Sequence, residues 1–286
     1  MNSLCEVLLG DCRETLKDVP DKSVQVCVTS PPYFGLRDYG DENQIGLEST
    51  LDEYVQHLQE VVQEVGRVLK PDGTLWLNLG DSYAGSGRGR LLDGTHAAAT
   101  PLQRRNTGSI AGVLRPRKSD GKKKDLMGVP WKVALALRDE GWYLRSDIIW
   151  SKTNIMPESV KDRPTRSHEY IFLLSKNREY YYDYEAVLEP QAHTDIPDAR
   201  NRRSVWTVNS VPYKEAHFAT FPEEIPRICI LAGSKPGDVV LDPFAGSGTT
   251  GKVALELGRK AILCEVNPTY GELIKKRTTT TLGMAI

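Results

Sequence analysis

Two short stretches of this chain combine residue types that can do chemistry. The first is Thr29-Ser30-Pro31-Pro32-Tyr33, directly after the apolar run Val24–Thr29. Consecutive prolines fix φ twice and neither continue a helix nor pair in a central strand. The chain therefore leaves a sheet edge in one stiff, extended conformation. A carbonyl before or between the prolines can point into a pocket, Ser30 adds a second polar group, and Tyr33 adds a flat face. Two acceptors and an aromatic surface suit a planar ring carrying an NH2 group. The plainer alternative is a rigid surface turn.

The second stretch is Asp242-Pro243-Phe244-Ala245-Gly246-Ser247-Gly248-Thr249-Thr250, between the apolar run Asp238–Asp242 and a helical pattern over Thr249–Leu257. Gly246 and Gly248 permit a tight turn and a close backbone approach to a ligand. Glu265, 17 residues beyond Gly248, closes the next apolar run. A carboxylate there can accept both ribose hydroxyls of a nucleoside cofactor lying across the strand ends. Gly246, Gly248 and Gly251 also satisfy GxGxxG, which keeps a dinucleotide enzyme open. Gly246–Lys252 approaches a phosphate loop, although Val253 stands where Ser or Thr would hold magnesium. An ordinary strand–helix turn is the remaining reading.

The elements that must position these stretches alternate. Strands are expected at Cys5–Leu9, Val24–Thr29, Thr74–Leu79, Arg145–Trp150, Tyr170–Leu174, Asp238–Asp242 and Lys260–Glu265. Helices are expected at Leu51–Leu69, stopped by Lys70-Pro71-Asp72-Gly73, at Val129–Glu140, and at Thr249–Leu257, closed by Gly258. Such alternation indicates one α/β domain over 1–286 with a largely parallel sheet. Residues 83–125 and 185–212 break the rhythm and read as insertions.

The 286 residues carry a formal net charge of −1 and are 40% hydrophobic, enough for a buried core. Five scattered cysteines with no CxxC pair, and five dispersed histidines, suggest neither disulfides nor a metal site and fit a reducing cytoplasm. No signal peptide or membrane-length apolar run is visible. Residues 86–125 hold ten basic and three acidic side chains, a patch suited to phosphates or else a solvated loop.

Ser30-Pro31-Pro32-Tyr33 resembles the catalytic (D/N/S)PP(Y/F/W) motif of the amino-methyltransferases that modify DNA, and Asp242–Thr250 resembles their cofactor motif. Their order along the chain resembles the permuted β class. The resemblance implies a Rossmann-like, seven-stranded, mostly parallel and circularly permuted sheet, with S-adenosyl-L-methionine as cofactor and double-stranded DNA as partner. It places Asp11 near the adenine of the cofactor and adds Thr29, Glu265 and Asn267 to its contacts. His217-Phe218-Ala219-Thr220-Phe221-Pro222 resembles the segment around the methionine part, with His217, Phe218 and Phe221 implied; Phe218 stands where Pro is frequent. Ile149–Asn154 through Arg163–Tyr170 resembles a block beside the target-base pocket. A homodimer is common among such enzymes but leaves no mark in this sequence.

The expected reaction moves a methyl group onto an exocyclic base nitrogen, with Ser30 and the Pro31 carbonyl accepting its two protons. Ser at position 30 resembles cytosine-N4 enzymes more than adenine-N6 enzymes. Cytosine C5 chemistry would need a Pro-Cys thiolate, and no Cys follows Pro here. The target base is expected to be flipped out of the duplex, with Tyr33 stacking on it. Arg104, Arg105, Arg115, Arg117, Lys118, Lys122, Lys123, Lys124, Arg163, Arg166, Arg202 and Arg203 are the expected DNA contacts, with 185–212 a small target-recognition segment. The alternatives are an adenine-N6 enzyme, an RNA or protein methyltransferase, and a non-catalytic DNA-binding relative.

Overall fold

A computed structural model of the chain describes residues 4–36, 44–84, 122–155, 157–190, 199–210 and 221–284. Arg104, Arg105, Arg115, Arg117, Lys118, His217 and Phe218 lie outside the described residues. In chain order the elements are β1 (Cys5–Leu9), α1 (Cys12–Thr15), β2 (Val24–Thr29), α2 (Leu51–Val68), β3 (Leu69–Leu79), α3 (Val129–Asp139), β4 (Tyr143–Ser151) and β5 (His168–Ser175). There follow β6 (Glu189–Pro190), β7 (Ala199–Arg200), β8 (Val205–Thr207), α4 (Glu224–Gly233), β9 (Val239–Asp242), α5 (Thr249–Glu256), β10 (Lys260–Glu265) and α6 (Pro268–Met284).

Local chemistry sets these boundaries. Thr50 and Glu53 form a reciprocal capping box that starts α2. Leu51, Tyr54, Leu58, Val61, Val62, Val65 and Val68 then give it one buried stripe. α2 stops before Lys70–Gly73 as expected, but that segment already belongs to β3, which begins at Leu69 rather than Thr74, and pairing with β2 slips there from Val24↔Leu69 to Val26↔Thr74.

The main sheet has the order β1-β10-β9-β2-β3-β5-β4-β8. All neighbours are parallel except β5, which runs antiparallel to both β3 and β4. The expected seven strands are joined by an eighth, β8, taken from the segment read as an insertion. It pairs with β4 at Ile149↔Val205, and its single buried residue, Trp206, donates its indole N–H to Arg203 O at 2.9 Å. A three-residue strand held by one aromatic anchor has too few residues to show a period.

Helices cover both faces. α1, α2 and α3 pack on the side of Leu75, Leu77 and Phe172, and α4, α5 and α6 on the side of Val26, Trp76 and Leu263. From β9 the chain winds outward to β10, which lies beside the first strand β1, and from β2 it winds the other way through β3. The switch therefore falls between β9 and β2, where ligands of open α/β sheets bind outside the carboxyl ends of strands. Among the described residues no helix is long and apolar enough to cross a membrane.

Candidate active site

The pairing Val26↔Val240 and Cys27↔Leu241 brings the ends of β2 and β9 side by side. Thr29 closes β2, and its hydroxyl donates to Asp242 Oδ1 at 2.7 Å. Asp242 Oδ2 accepts from Thr250 Oγ1 at 2.6 Å, and Oδ1 also accepts from Phe244 N at 3.0 Å. Burial pushes the Asp242 carboxyl up to about 6 against these three donors. Both motifs are thus fastened to one carboxylate.

The glycine turn behaves as its sequence requires. Gly246 and Gly248 have φ of +51° and +79°, in the left-handed region where a side chain is strained. Arg277 of α6 donates to Ser247 O at 2.8 Å and Ser247 Oγ at 2.9 Å, holding the turn from behind. Glu265 receives Gly246 N on one oxygen at 2.8 Å and Asn267 N on the other at 2.9 Å. Burial is the largest influence on it and pushes the carboxyl up to about 7. Asp11 caps α1 by accepting Arg13 N and forms an ion pair with Arg13 at 2.6 Å. Burial raises the Asp11 carboxyl, but the bonds from Arg13 outweigh this and hold it below the usual range.

One cleft is lined by Gly10, Asp11, Ser30, Pro32, Phe244, Gly246, Glu265 and Val266, among others. Residues of the diproline corner and of the glycine turn therefore face the same space. Thr29 and Asp242, with Ser247, Thr249 and Thr250, are buried and form the frame beneath it, while Asn267 orients Glu265. Phe221 packs against the core on the α4 side. The cleft fits a nucleoside-bearing cofactor: the Glu265 carboxylate is part of its wall, beside a turn where a Cβ on Gly246 would enter open space.

The other flank of the corner holds a polar chain whose connections motif reading did not give. Ser30 Oγ donates to Asn78 Oδ1 at 3.1 Å. Tyr33 OH lies 2.5 Å from Glu169 Oε2 and 3.2 Å from Asn78 Oδ1. Asn78 Nδ2 donates to Tyr170 O at 3.0 Å and to Glu169 Oε2 at 3.3 Å. Lys152 donates to Glu169 Oε1 and sits 3.9 Å over the Trp150 ring. Burial, then the Glu169 charge, pushes the Tyr33 phenol well above its ordinary value. The Tyr33 ring lies against Gly80, where a Cβ would come within 2.5 Å of Cε2. Tyr54 OH donates to Pro32 O at 2.9 Å and fixes the corner. Lys152 and Glu169 fall in the block Ile149–Asn154 through Arg163–Tyr170 that the sequence places beside the base pocket, whereas Asn78, a lone polar residue inside Leu75-Trp76-Leu77-Asn78-Leu79, was not singled out.

Most of the described basic residues already have partners. Arg163 and Arg166 converge on Tyr83, at 3.9 Å and 5.3 Å from its ring, beside a second cleft lined by Asp81, Arg166, His168 and Tyr170. Arg202 donates to Val187 O at 3.0 Å, and Arg203 joins Arg200 on Glu189. Lys124 pairs with Asp162 at 2.6 Å, while Lys122 and Lys123 are exposed.

A doubly covered α/β sheet with a nucleoside-type cleft at its switch point and a rigid acceptor corner beside it defines a methyltransferase architecture. The solved structure of PvuII DNA methyltransferase (cytosine-N4-specific) shares this fold with a TM-score of 0.71 at 22% identity, over 96% of this chain and 86% of that one. TTHA0409 of Thermus thermophilus, complexed with S-adenosyl-L-methionine, matches with a TM-score of 0.63 at 25% identity over 96% and 95%. A family model described as DNA methylase (N6_N4_Mtase) matches residues 24–276, and the chain belongs to that family. Type II methyltransferase M.SmaI of Serratia marcescens is 49% identical over 96% of this chain and 90% of its own length. Type II methyltransferase M.Cfr9I of Citrobacter freundii is 51% identical over 94% and 85%. Membership in this family removes the dinucleotide-enzyme and phosphate-loop readings of the glycine turn.

Proposed function

We propose that this DNA methylase is a site-specific enzyme that transfers a methyl group from S-adenosyl-L-methionine to N4 of a flipped cytosine. The observation that carries the reading is the single cleft lined by both Ser30 and Glu265. The relatives named Type II methyltransferases support a place in restriction and modification. The solved relative named cytosine-N4-specific, together with Ser at position 30, supports N4.

S-adenosyl-L-methionine, when bound, supplies a methyl group on a sulfonium that carries its own leaving group. Gly246, Glu265 and Asp11 would hold it; Glu265 would receive the ribose hydroxyls. An exocyclic amine on a heteroaromatic ring is a poor nucleophile because its lone pair is delocalised. Ser30 and the Pro31 carbonyl, accepting its two N–H bonds, favour a more tetrahedral nitrogen and release that lone pair. Positioning and preorganised acceptors supply most of the rate. Tyr33 shapes the base-side wall, and Arg163, Arg166, Lys122, Lys123 and Lys124, with Arg202 and Arg203, are assigned to the DNA backbone.

The test is to methylate a defined plasmid with a deuterium-labelled methyl donor, digest it and identify the labelled nucleoside by mass spectrometry. Labelled N4-methylcytosine is expected. Labelled N6-methyladenine would replace the base assignment, and label only in RNA or protein would overturn the reading.

A further inference from the structure

We propose that Glu169, held by Lys152, is a positioning residue that fixes the direction of the hydrogen bonds at Ser30 and thereby makes Ser30 an acceptor toward the target base. The inference rests on the function proposed above and deepens it.

The directions follow from atoms that can act in only one way. The Tyr170 carbonyl can only accept, so the Asn78 atom facing it at 3.0 Å is the NH2 group, and Asn78 Oδ1 must face Ser30. The Lys152 ammonium only donates, so Glu169 Oε1 accepts from it. Glu169 Oε2 accepts the second Asn78 N–H at 3.3 Å and the shorter, charge-assisted bond from Tyr33 at 2.5 Å. The single Tyr33 proton is thereby committed to Glu169, although Asn78 Oδ1 lies 3.2 Å away. Asn78 Oδ1 is left for the Ser30 proton. With its hydrogen turned toward Asn78, Ser30 presents only lone pairs to the cleft. That arrangement welcomes an NH2 group and repels a carbonyl oxygen at the same place. Asn78 is 4% exposed, and the Lys152 and Glu169 side chains are 18% and 17% exposed, so water competes weakly.

Glu169→Gln changes the polarity with almost no change in shape. Lys152 still demands an oxygen, so the new NH2 faces Tyr33 and Asn78. Tyr33 must then accept, and its proton turns onto Asn78 Oδ1 in competition with Ser30. Ser30 is released to point its hydrogen into the cleft.

The experiment uses the full-length enzyme and duplexes carrying the site it methylates on plasmid, with cytosine or uracil at the target position. Uracil replaces the amine by a carbonyl. Glu169→Gln is expected to lower kcat about tenfold or more, the worth of one misdirected hydrogen bond, with cofactor Kd within about twofold. It should also narrow the wild-type preference for the cytosine duplex by about fivefold or more. Adding Tyr33→Phe to Glu169→Gln removes the competing proton and should restore part of that preference. Glu169→Asp keeps a carboxylate and should keep the preference within about twofold even where kcat falls. A wild-type preference in Glu169→Gln, or equal loss of preference in Glu169→Asp and Glu169→Gln, overturns the inference. A wild-type enzyme that methylates no DNA would remove the proposed function and this inference together; methylation by wild type with an unaltered Glu169→Gln removes the inference alone.

Discussion

The Thr29 hydroxyl donates a 2.7 Å hydrogen bond to the buried carboxylate of Asp242, residues 213 positions apart in sequence and neighbours across two parallel strands. This bond joins the end of the strand that launches the diproline corner to the end of the strand that launches the glycine turn. Asp242→Ala would strand the hydroxyls of Thr29 and Thr250 and the Phe244 amide. A loss of about 2–4 kcal/mol is expected, because buried donors left without partners bear their full desolvation cost. Urea midpoints measure it. Asp242→Asn keeps acceptor capacity on one atom and should lose less.

Gly80 is the surface on which the Tyr33 ring rests. Gly80→Ala would push that ring off its bond with Glu169. Overpacking of about 1–3 kcal/mol is expected, with turnover falling further than the melting temperature alone would suggest. Normal turnover in Gly80→Ala would show that the Tyr33 position is not critical.

Glu265 titrates near 7 because burial penalises its charge. Its pKa is raised on folding, so the folded protein binds the extra proton and stability from this group falls as pH rises from about 4.5 to 7. Cofactor hydroxyls donate to the ionised form, so cofactor binding should strengthen across the same window and release a proton below pH 7. Calorimetry in two buffers of different ionisation enthalpy would detect that proton. Glu265→Gln should abolish both the release and the pH dependence of affinity.

Lys122 and Lys123 are exposed at the described edge of the basic segment. If each reaches a phosphate, replacing both by Gln should reduce the slope of log K against log salt by about 1.8 in a filter-binding titration. An unchanged slope would reject their assignment to DNA.

The sheet was legible where burial on both faces makes strands read as continuous apolar runs. β2 and β10 match their expected limits to the residue, as does the half-exposed edge strand β1, while β3, β4 and β5 extend theirs by one to five residues at one or both ends. α4 escaped because Pro226 sits in its first turn and most of its residues are buried, leaving no polar face to mark a period. α6 escaped because its run of threonines carries little contrast between faces. The two motifs and Glu265 were legible because each is a local pattern of unusual residues. The chain Ser30-Asn78-Glu169-Lys152 was legible only in part: the block Ile149–Asn154 through Arg163–Tyr170 placed Lys152 and Glu169 near the base pocket, but their hydrogen bonds to Asn78 and Tyr33 form only when β3, β4 and β5 pair.

On the proposed function, the cleft residues Gly246 and Glu265 form a cofactor side, and Ser30 with the adjoining Pro31 carbonyl an amine side, separable from it. Turnover on plasmid DNA and cofactor affinity by calorimetry, measured together on Ser30→Ala and Pro31→Ala, test this division most directly. The expected result is kcat lower by about 10²-fold or more with cofactor Kd within about threefold of wild type. Parallel loss of both quantities, or full turnover without the Ser30 hydroxyl, would contradict it.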